Sequence, residues 1–333
     1  MPVGAALETT AAFNLSINGS LSLFYGGLES LIGPPKMLKG SLFHSMEQEH
    51  TGERDARCEF TTSNGVTSTS AMEWEVVINP KEETRGKFRD HGLEIYPERK
   101  DFRELYPDWC RAIRPIDEMM GVMETECNAR LRHEGHTELI REELVGGRLY
   151  TGPLYAKYNA VLRAKSGDAW LVEQCKLLTL GNTYTTTIHA INSCVIKLSK
   201  LTKAVKVWRG IKDAKLPKSF WVANSMGVRG GIEYGFSSTT TDKEQALHYA
   251  GAEDAHTHHL STVFEMQMGM VDRGADLTWL SQYPHEREVL LPPLTGLEAL
   301  ETRVSSGMLV IQARLSLNMA AHTLEQVLSS DDL

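Results

Sequence analysis

Two stretches in the last third of the chain alternate apolar side chains with mostly polar or small ones. Apolar residues occupy every second position over residues 264–270 and again over residues 309–317. Successive side chains of a strand point to opposite faces, so a period of two is typical of half-buried β-strands. We therefore predict a strand in each stretch. The apolar residues are Phe264, Met266, Met268, Met270, Leu309, Ile311, Ala313, Leu315 and Leu317.

Earlier in the chain the apolar spacing changes to three and four. It is clearest over residues 188–201 and predicts an amphipathic helix there. Residues 116–145 are dense in Met, Leu, Glu and Arg, and they favour helices, as do residues 154–164. Because helices precede strands rather than alternating with them, we expect the α+β class.

The first third has a different character. Residues 60–80 mix Thr, Val and Trp around an Asn-Gly pair, which predicts strands flanking a turn. Residues 85–108 are charged and interrupted by prolines, as in a connector. We divide the chain into an N-terminal region of unknown function, residues 1–115, and a second domain, residues 116–333. We expect the first region to fold separately.

Composition narrows the function classes. Of the 333 residues, 41% are hydrophobic and 23% are charged, as in a globular protein that can bury a core. The 43 acidic and 35 basic residues give a net charge of −8 without a run of Lys or Arg, which argues against a nucleic-acid partner. No segment reaches the ~18 consecutive apolar residues of a membrane span, so we expect no membrane partner.

The N-terminal segment and the cysteines bear on location. The segment lacks the basic start and the apolar core of a signal peptide. The five cysteines are scattered without a CxxC pair, which argues against a zinc ribbon or a disulfide framework and favours a reducing compartment. We therefore expect a cytoplasmic protein.

Several catalytic signatures are missing. The chain has no phosphate-binding G-x-x-x-x-G-K-[ST] loop and no G-x-G-x-x-G after a strand. His285-Glu286 begins like a zinc-protease helix but lacks the second His. His256, His258 and His259 could hold a metal, although such a cluster is more often part of a solvated loop. We expect no bound metal.

Three separate segments remain as candidates for chemistry. The first is Val207-Trp208-Arg209-Gly210, in which an Arg ends an apolar strand beside a Gly. A guanidinium is a planar fork for carboxylate or phosphate, and a Gly lets a ligand approach the backbone. Alone, an Arg in this place is usually a surface ion pair.

The second segment is a row of hydroxyls between Tyr234 and Asp242. Five consecutive Ser and Thr residues follow Phe236, with Ser238 and Thr239 near the middle. Asp242 is placed to cap a following helix. Ser and Thr are ordinary on strands and before caps, so the row is not by itself a functional motif.

The third segment runs from Tyr283 to Leu291, a loop that leads into a strand. Its two carboxylates, Glu286 and Glu288, stand two residues apart. On a strand they would project from one face into the same cleft. Two like charges this close need a cationic or hydrogen-bonding partner. The alternative is a solvated strand edge.

In this order the segments resemble those of the arginine-type mono-ADP-ribosyltransferases, a family marked by an Arg, a Ser-Thr-Ser strand and a Glu-x-Glu pair. Ser238 takes the place of the first serine, and Thr240 replaces the last with another hydroxyl. Glu286 and Glu288 form the acidic pair. Tyr283 stands three residues before it, where the family carries an aromatic residue.

The resemblance covers roughly residues 146–318 and does not reach the N-terminal region. Tyr150-Thr151-Gly152, Asn159 and Arg163 are similar to the family's helical segment ahead of the NAD cleft. The fold implied is a two-sheet, largely antiparallel β core with flanking helices that form an NAD cleft. This is not a Rossmann fold, in agreement with the missing glycine fingerprint.

The resemblance implies NAD as co-substrate and a protein acceptor with a modifiable arginine. Glu288 would stabilise the ribosyl cation that forms as nicotinamide leaves, and Ser238 would hold its carboxylate. Arg209 would bind the NAD pyrophosphate, while Glu286 and Tyr283 would meet the acceptor. The residues expected to bind NAD are Arg209, Gly210, Phe236, Ser238 and Thr239.

Two other functions stay open. An NAD glycohydrolase, in which water replaces the acceptor, would use the same Glu288, although the presence of Glu286 favours transfer. A non-catalytic module that binds NAD or ADP-ribose would not need to keep Arg209, Ser238 and both glutamates.

Overall fold

The computed structural model of the protein describes most of the chain after residue 25. The described residues are 26–61, 67–81, 111–212, 216–224, 227–251, 261–305, 307–318 and 320–330. Three predicted features lie outside them: the turn at Asn64-Gly65, the connector at residues 85–108 and the histidines at positions 256, 258 and 259.

Helices make up most of the described first two thirds. They are α1 (Leu28–Ile32), α2 (Leu42–Thr51), α3 (Glu53–Ala56), α4 (Ser70–Ile78), α5 (Ile116–Val122), α6 (Ala129–His133), α7 (Arg141–Leu149), α8 (Tyr155–Ala164), α9 (Ala169–Thr179) and α10 (Thr185–Ser199). A π-helical turn, Met123–Asn128, joins α5 to α6. The helices predicted over residues 188–201 and 154–164 are confirmed as α10 and α8.

Strands dominate the last third. They are β3 (Lys206–Ile211), β4 (Gly230–Glu233), β5 (Ser237–Thr240), β6 (Thr262–Gln267), β7 (Ala275–Asp276), β8 (Glu288–Leu291), β9 (Thr295–Ser305) and β10 (Met308–Ser316), after a short hairpin of β1 (Phe60–Thr61) and β2 (Thr67–Ser68). Three more helices are α11 (Lys218–Trp221), α12 (Lys243–Tyr249) and α13 (Leu324–Ser330). The predicted α+β class is confirmed.

The eight later strands form one sheet in the order β4-β9-β10-β6-β3-β5-β8-β7. All pairs are antiparallel except β6 with β10. Between β3 and β5 a single residue pair, Trp208 with Thr240, holds the sheet together. The structure thus has one continuous sheet where two were predicted, with five strands on one side of that pair and three on the other.

Two strand predictions need correction. The strand predicted over residues 264–270 ends at Gln267, and Met270 beyond it is 78% exposed. The described residues between 60 and 80 form the short antiparallel strands β1 and β2 and then helix α4, not strands throughout. The Thr69 side chain accepts a hydrogen bond from the Met72 backbone N–H and so starts the helix, and helical spacing then buries Trp74 and Val77.

The chain bends sharply between α7 and α8. Tyr150–Leu154 forms a π-helical turn in which Gly152 has a non-helical backbone (φ −97°, ψ −173°) ahead of Pro153. A Cβ at Gly152 would lie 2.3 Å from Nε2 of Gln282, so a larger residue would displace that amide. The bend lets the α7–α8 segment contact both the 280–283 segment and the start of β5.

One hydrophobic core joins the N-terminal helices to those after residue 115. Met46 and Trp74 are buried in the same cluster as Leu144 and Ile188. Glu49 also caps α10, accepting from the backbone N–H groups of residues 186 and 187 at 2.8 and 3.0 Å. The expectation of separate folding is therefore not supported. The division at residue 115 stays a prediction about function alone.

Candidate active site

The three predicted segments meet on neighbouring strands. Arg209 lies on β3, Ser238 on β5 and Glu288 at the start of β8, while Glu286 ends the turn before β8. These four residues form the candidate site. In the β5–β8 register Thr240 faces Glu288 and Ser238 faces Leu290, so Ser238 and Glu288 share one face of the sheet.

Glu288 is the most buried member of the candidate site, with only 5% of its surface exposed. The Ser238 hydroxyl donates a hydrogen bond to its carboxylate. Burial and then the nearby Glu286 charge raise the pKa of Glu288 to about 8, against the opposing effects of Ser238 and Arg209. Because this pKa is close to neutral pH, a small change in the surroundings of Glu288 changes its protonation state.

Arg209 is half-buried and reaches over β5. Its Nη1 donates to the backbone carbonyl of Ser238 at 3.2 Å. Burial lowers the pKa of the guanidinium, and the Glu233 and Glu288 carboxylates act in the opposite direction. The structure thus places a cation within electrostatic reach of Glu288, the partner that two adjacent carboxylates require.

Glu286 does not lie on the strand with Glu288, which corrects the prediction that both project from one strand face. Pro284–Glu286 is a 3₁₀ turn, and Arg287 has a left-handed backbone (φ 47°, ψ 49°) that separates the turn from β8. The two carboxylates nevertheless interact, because the charge of Glu286 raises the pKa of Glu288. The left-handed residue, not strand periodicity, sets their relative position.

Contacts from β5 and α12 hold Glu286. The Thr240 hydroxyl donates to its backbone carbonyl at 2.7 Å, and the Tyr249 hydroxyl donates to its Oε1. Burial raises the pKa of Glu286 to about 7, and the hydrogen bond from Tyr249 opposes that rise. Tyr249 was not predicted from the sequence, because 37 residues separate it from its partner.

Tyr283 belongs to the same turn. Its carbonyl accepts the Glu286 backbone N–H at 3.0 Å, and its ring packs edge-on against His285 with centroids 6.2 Å apart. The ring is half-buried. Part of an aromatic surface therefore stays exposed beside the turn, where an acceptor was expected.

The remaining three predicted residues have structural explanations of their own. Gly210 makes room for α12, since a Cβ there would lie 1.8 Å from the Ala246 carbonyl oxygen. Thr239 points to the opposite face from Ser238, and its hydroxyl donates to the Val289 carbonyl at 2.6 Å. Phe236 is fully buried against the Tyr150 ring, with centroids 5.2 Å apart. The side chain of Thr239 is therefore not placed to bind NAD alongside Ser238.

The α7–α8 segment supports the start of β5. Asn159 donates to the Tyr150 hydroxyl at 3.1 Å and accepts the Phe236 backbone N–H at 2.9 Å. Arg163 makes a two-pronged ion pair with Glu233 at 3.0 and 3.2 Å. Asn159 and Arg163 were part of the resemblance, whereas Glu233 was missed. The sequence around Glu233 contains no motif, and only its partner Arg163 was predicted to belong near the site.

Buried arginines anchor the segment that leads into the Tyr283 turn. Arg148 donates through Nη1 to the carbonyls of Leu280 and Ser281 at 2.7 and 2.9 Å. Arg111 donates to Gln282 at 2.8 Å and pairs with the buried Glu73 of α4. The turn beside the candidate site is thus tied to the N-terminal helices.

Two features of the described residues concern membranes and metal ions. Within the described ranges, no helix is long and apolar enough to cross a membrane. The same residues hold no group of three or more His, Cys, Asp or Glu side chains arranged to bind a metal ion. The expected absence of a metal stays a prediction.

The sequence matches a protein-family model over the segment that contains the candidate site. The model describes the ADP-ribosyltransferase exoenzymes, and it matches residues 128–308, more than half of the chain. The chain therefore belongs to the ADP-ribosyltransferase exoenzyme family. The match includes the candidate site and the α7–α8 segment. No curated protein matches the sequence.

Solved ADP-ribosyltransferases give weaker matches. HopU1 of Pseudomonas syringae pv. tomato DC3000 is 20% identical, over 66% of this chain and 98% of its own, with a TM-score of 0.43. The Vis toxin of Vibrio splendidus is 18% identical, over 63% and 88%, with a TM-score of 0.40. The eukaryotic mono-ADP-ribosyltransferase ART2.2 is 14% identical, over 74% and 93%, with a TM-score of 0.37.

Proposed function

We propose that the protein is an NAD-dependent mono-ADP-ribosyltransferase that transfers ADP-ribose to an arginine side chain of a protein. The observation that carries this proposal is the pair of adjacent carboxylates with separate hydrogen-bond donors. Glu288 accepts from Ser238 on β5, and Glu286 accepts from Tyr249 at the end of α12. Two carboxylates in different surroundings can take two different roles.

Glu288 is proposed to stabilise the ribosyl cation. Departure of nicotinamide leaves positive charge on the ribose, as in glycoside hydrolysis. Approach of that positive charge lowers the pKa of Glu288 from about 8 and favours the ionised form. Ser238 keeps the carboxylate oriented, so little reorganisation is needed as the charge develops.

Arg209 is proposed to bind the NAD pyrophosphate. Its guanidinium already lies beside Ser238 and within electrostatic reach of Glu288. A planar fork makes two charge-assisted hydrogen bonds to phosphate oxygens, which a lysine at the same place would not reproduce. NAD contacts of the Gly210 backbone belong to the same proposal, whereas Phe236 has no exposed surface for NAD and packs inside the core beneath β5.

Glu286 is proposed to receive the acceptor guanidinium and to take up its proton late in the reaction. An arginine side chain has a pKa above ~12, so it does not lose its proton before the new bond forms. A carboxylate with a pKa of about 7 is suited to accept that proton near neutral pH. The half-buried Tyr283 ring lies on the same turn and offers the acceptor a packing surface.

The decisive experiment is Glu286→Gln, assayed in two ways. Transfer to agmatine, an arginine analogue, should fall at least ~100-fold, because the amide cannot accept the proton. Nicotinamide release without an acceptor should stay within about threefold of the wild type, because Glu288 is unchanged. Glu244→Gln, on the exposed side of α12, is the matched control and should affect neither rate.

The outcomes separate the alternatives. Nicotinamide release by the wild type without transfer to agmatine would favour an NAD glycohydrolase. No release with or without acceptor would favour a binding module. Equal loss of both rates in Glu286→Gln would make the two carboxylates one catalytic unit and would contradict the separate roles. The acceptor protein, a cytoplasmic location and the absence of nucleic-acid and membrane partners stay predictions.

A further inference from the structure

Helix α12 is fixed in place at two points along its length. Asp242, the second residue after β5, caps the helix by accepting from the backbone N–H groups of Glu244 and Gln245 at 3.0 and 3.5 Å. The carbonyl group of Ala246 packs so close to Gly210 of β3 that a side chain at position 210 would clash with it. The position of Tyr249 at the end of the helix is therefore set by the same strands that carry the candidate site.

From that position Tyr249 reaches the first carboxylate of the acidic pair. Its hydroxyl donates to Oε1 of Glu286, while Thr240 holds the Glu286 backbone carbonyl. The side chain and the main chain of Glu286 are thus both bound by the continuous segment from β5 to α12. The 3₁₀ turn and the left-handed Arg287 leave the carboxylate off the strand, so these two contacts define where it points.

The two glutamates do not share a hydrogen-bond donor. Glu288 accepts from Ser238, and Glu286 accepts from Tyr249. Each carboxylate oxygen has two lone pairs, so Oε1 can accept from Tyr249 and still bind one guanidinium N–H, while Oε2 binds the other. A carboxylate held at one oxygen presents a fixed plane to a planar, two-pronged donor.

The ring of Tyr249 adds a second feature. The residue is 48% exposed although its hydroxyl is bound. A half-exposed aromatic ring beside a carboxylate suits a guanidinium, which stacks on aromatic rings, better than the compact, strongly hydrated ammonium of lysine.

We propose that Tyr249 is a positioning residue for the acceptor, which orients the Glu286 carboxylate towards an incoming guanidinium group. This inference rests on the proposed transfer to arginine. It assigns acceptor recognition to α12 as well as to the turn that carries Tyr283. It also separates the acceptor side of the candidate site from Ser238 and Glu288, which are proposed to act on the ribose.

The test is Tyr249→Phe, which keeps the ring and removes the hydroxyl. The ratio of transfer to agmatine over nicotinamide release should fall about tenfold, chiefly through a higher KM for agmatine, because the carboxylate loses its orientation. Tyr234→Phe is the matched control, since it removes a tyrosine hydroxyl in the separate apolar cluster with Ile232 and Leu294. Its ratio should equal that of the wild type.

A second readout does not depend on turnover. The carboxyl carbons of the glutamates can be titrated by NMR in the wild type and in Tyr249→Phe. Loss of a hydrogen bond that stabilises the charged form should raise the pKa of Glu286 above its value of about 7. A folded variant in which Glu286 titrates as in the wild type would show that Tyr249 does not hold the carboxylate.

The outcomes distinguish this inference from the function on which it rests. If the wild type transfers to agmatine and Tyr249→Phe lowers transfer and nicotinamide release equally, or lowers neither, the positioning role is overturned and the proposed function stands. If the wild type does not transfer to agmatine, the proposed function fails, and the acceptor role of Tyr249 fails with it.

Discussion

Two groups of buried charge in this protein are built in opposite ways. In the first, Lys157 of α8 donates to Asp55 at 3.0 Å and to Ser70 at 2.7 Å, and Tyr184 also donates to Asp55. Opposite charges are matched there, and Lys157 and Asp55 are almost fully buried. In the candidate site two carboxylates, Glu286 and Glu288, lie within range of each other's charge.

The difference separates charges that hold the fold from charges that we propose take part in the reaction. The Asp55–Lys157 pair links the N-terminal helices to α8, and each partner compensates the burial of the other. The Glu286–Glu288 pair does the reverse, because burial and mutual repulsion both raise the pKa of Glu288. A like-charge pair of this kind costs stability, and such costs are typical of functional sites.

The largest expected effect is on the matched pair. Lys157→Met should lower the free energy of unfolding by ~3–5 kcal/mol, because Asp55 is left buried without its cation. Urea denaturation followed by circular dichroism measures the loss. The control is Lys176→Met on α9, where the lysine side chain is 67% exposed and the change should stay within ~0.5 kcal/mol. Equal stability of the two variants would show that the N-terminal region is not held through Lys157.

The next largest effect is expected at the like-charge pair Glu286 and Glu288. It concerns the rate of nicotinamide release rather than stability. Glu288→Gln should lower nicotinamide release ~100-fold or more, because the amide carries no charge to stabilise the ribosyl cation. Binding of NAD, measured by calorimetry, should stay nearly unchanged. A variant that keeps more than about a tenth of the wild-type rate would remove Glu288 from the mechanism. The control is Glu298→Gln on β9, where the glutamate pairs with Arg314 of β10.

The smallest effect is on how stability depends on pH. The pKa values of Glu286 and Glu288 are raised from 4.5 to about 7 and 8 in the folded protein. Their contribution to stability is therefore complete below pH 4.5 and is lost as the pH rises through those two values. Relative to wild type, Glu288→Gln should gain stability with rising pH and be at least ~1 kcal/mol more stable near pH 9. A constant difference between about pH 5 and 9 would contradict the buried, raised state of Glu288.

Sequence alone predicted the elements whose pattern is local. The spacing of three and four identified α10, and the period of two identified β10 and most of β6, because both periods follow from backbone geometry. It also brought Arg209, Ser238, Glu286 and Glu288 together as candidates through the resemblance. The family match is consistent with that grouping, while the role of each residue stays a prediction.

Only the tertiary structure decided how those residues are arranged and what supports them. Glu286 left the strand because Arg287 adopts a left-handed backbone, which a period of two does not reveal. Tyr249 and Glu233 were identified only through their contacts with Glu286 and Arg163, which lie 37 and 70 residues away in the sequence. The N-terminal helices proved part of the main core through contacts such as Lys157 with Asp55, 102 residues apart. Local periodicity shows which face of a helix or strand is apolar. Which residues from distant parts of the chain contact that face is decided by tertiary packing.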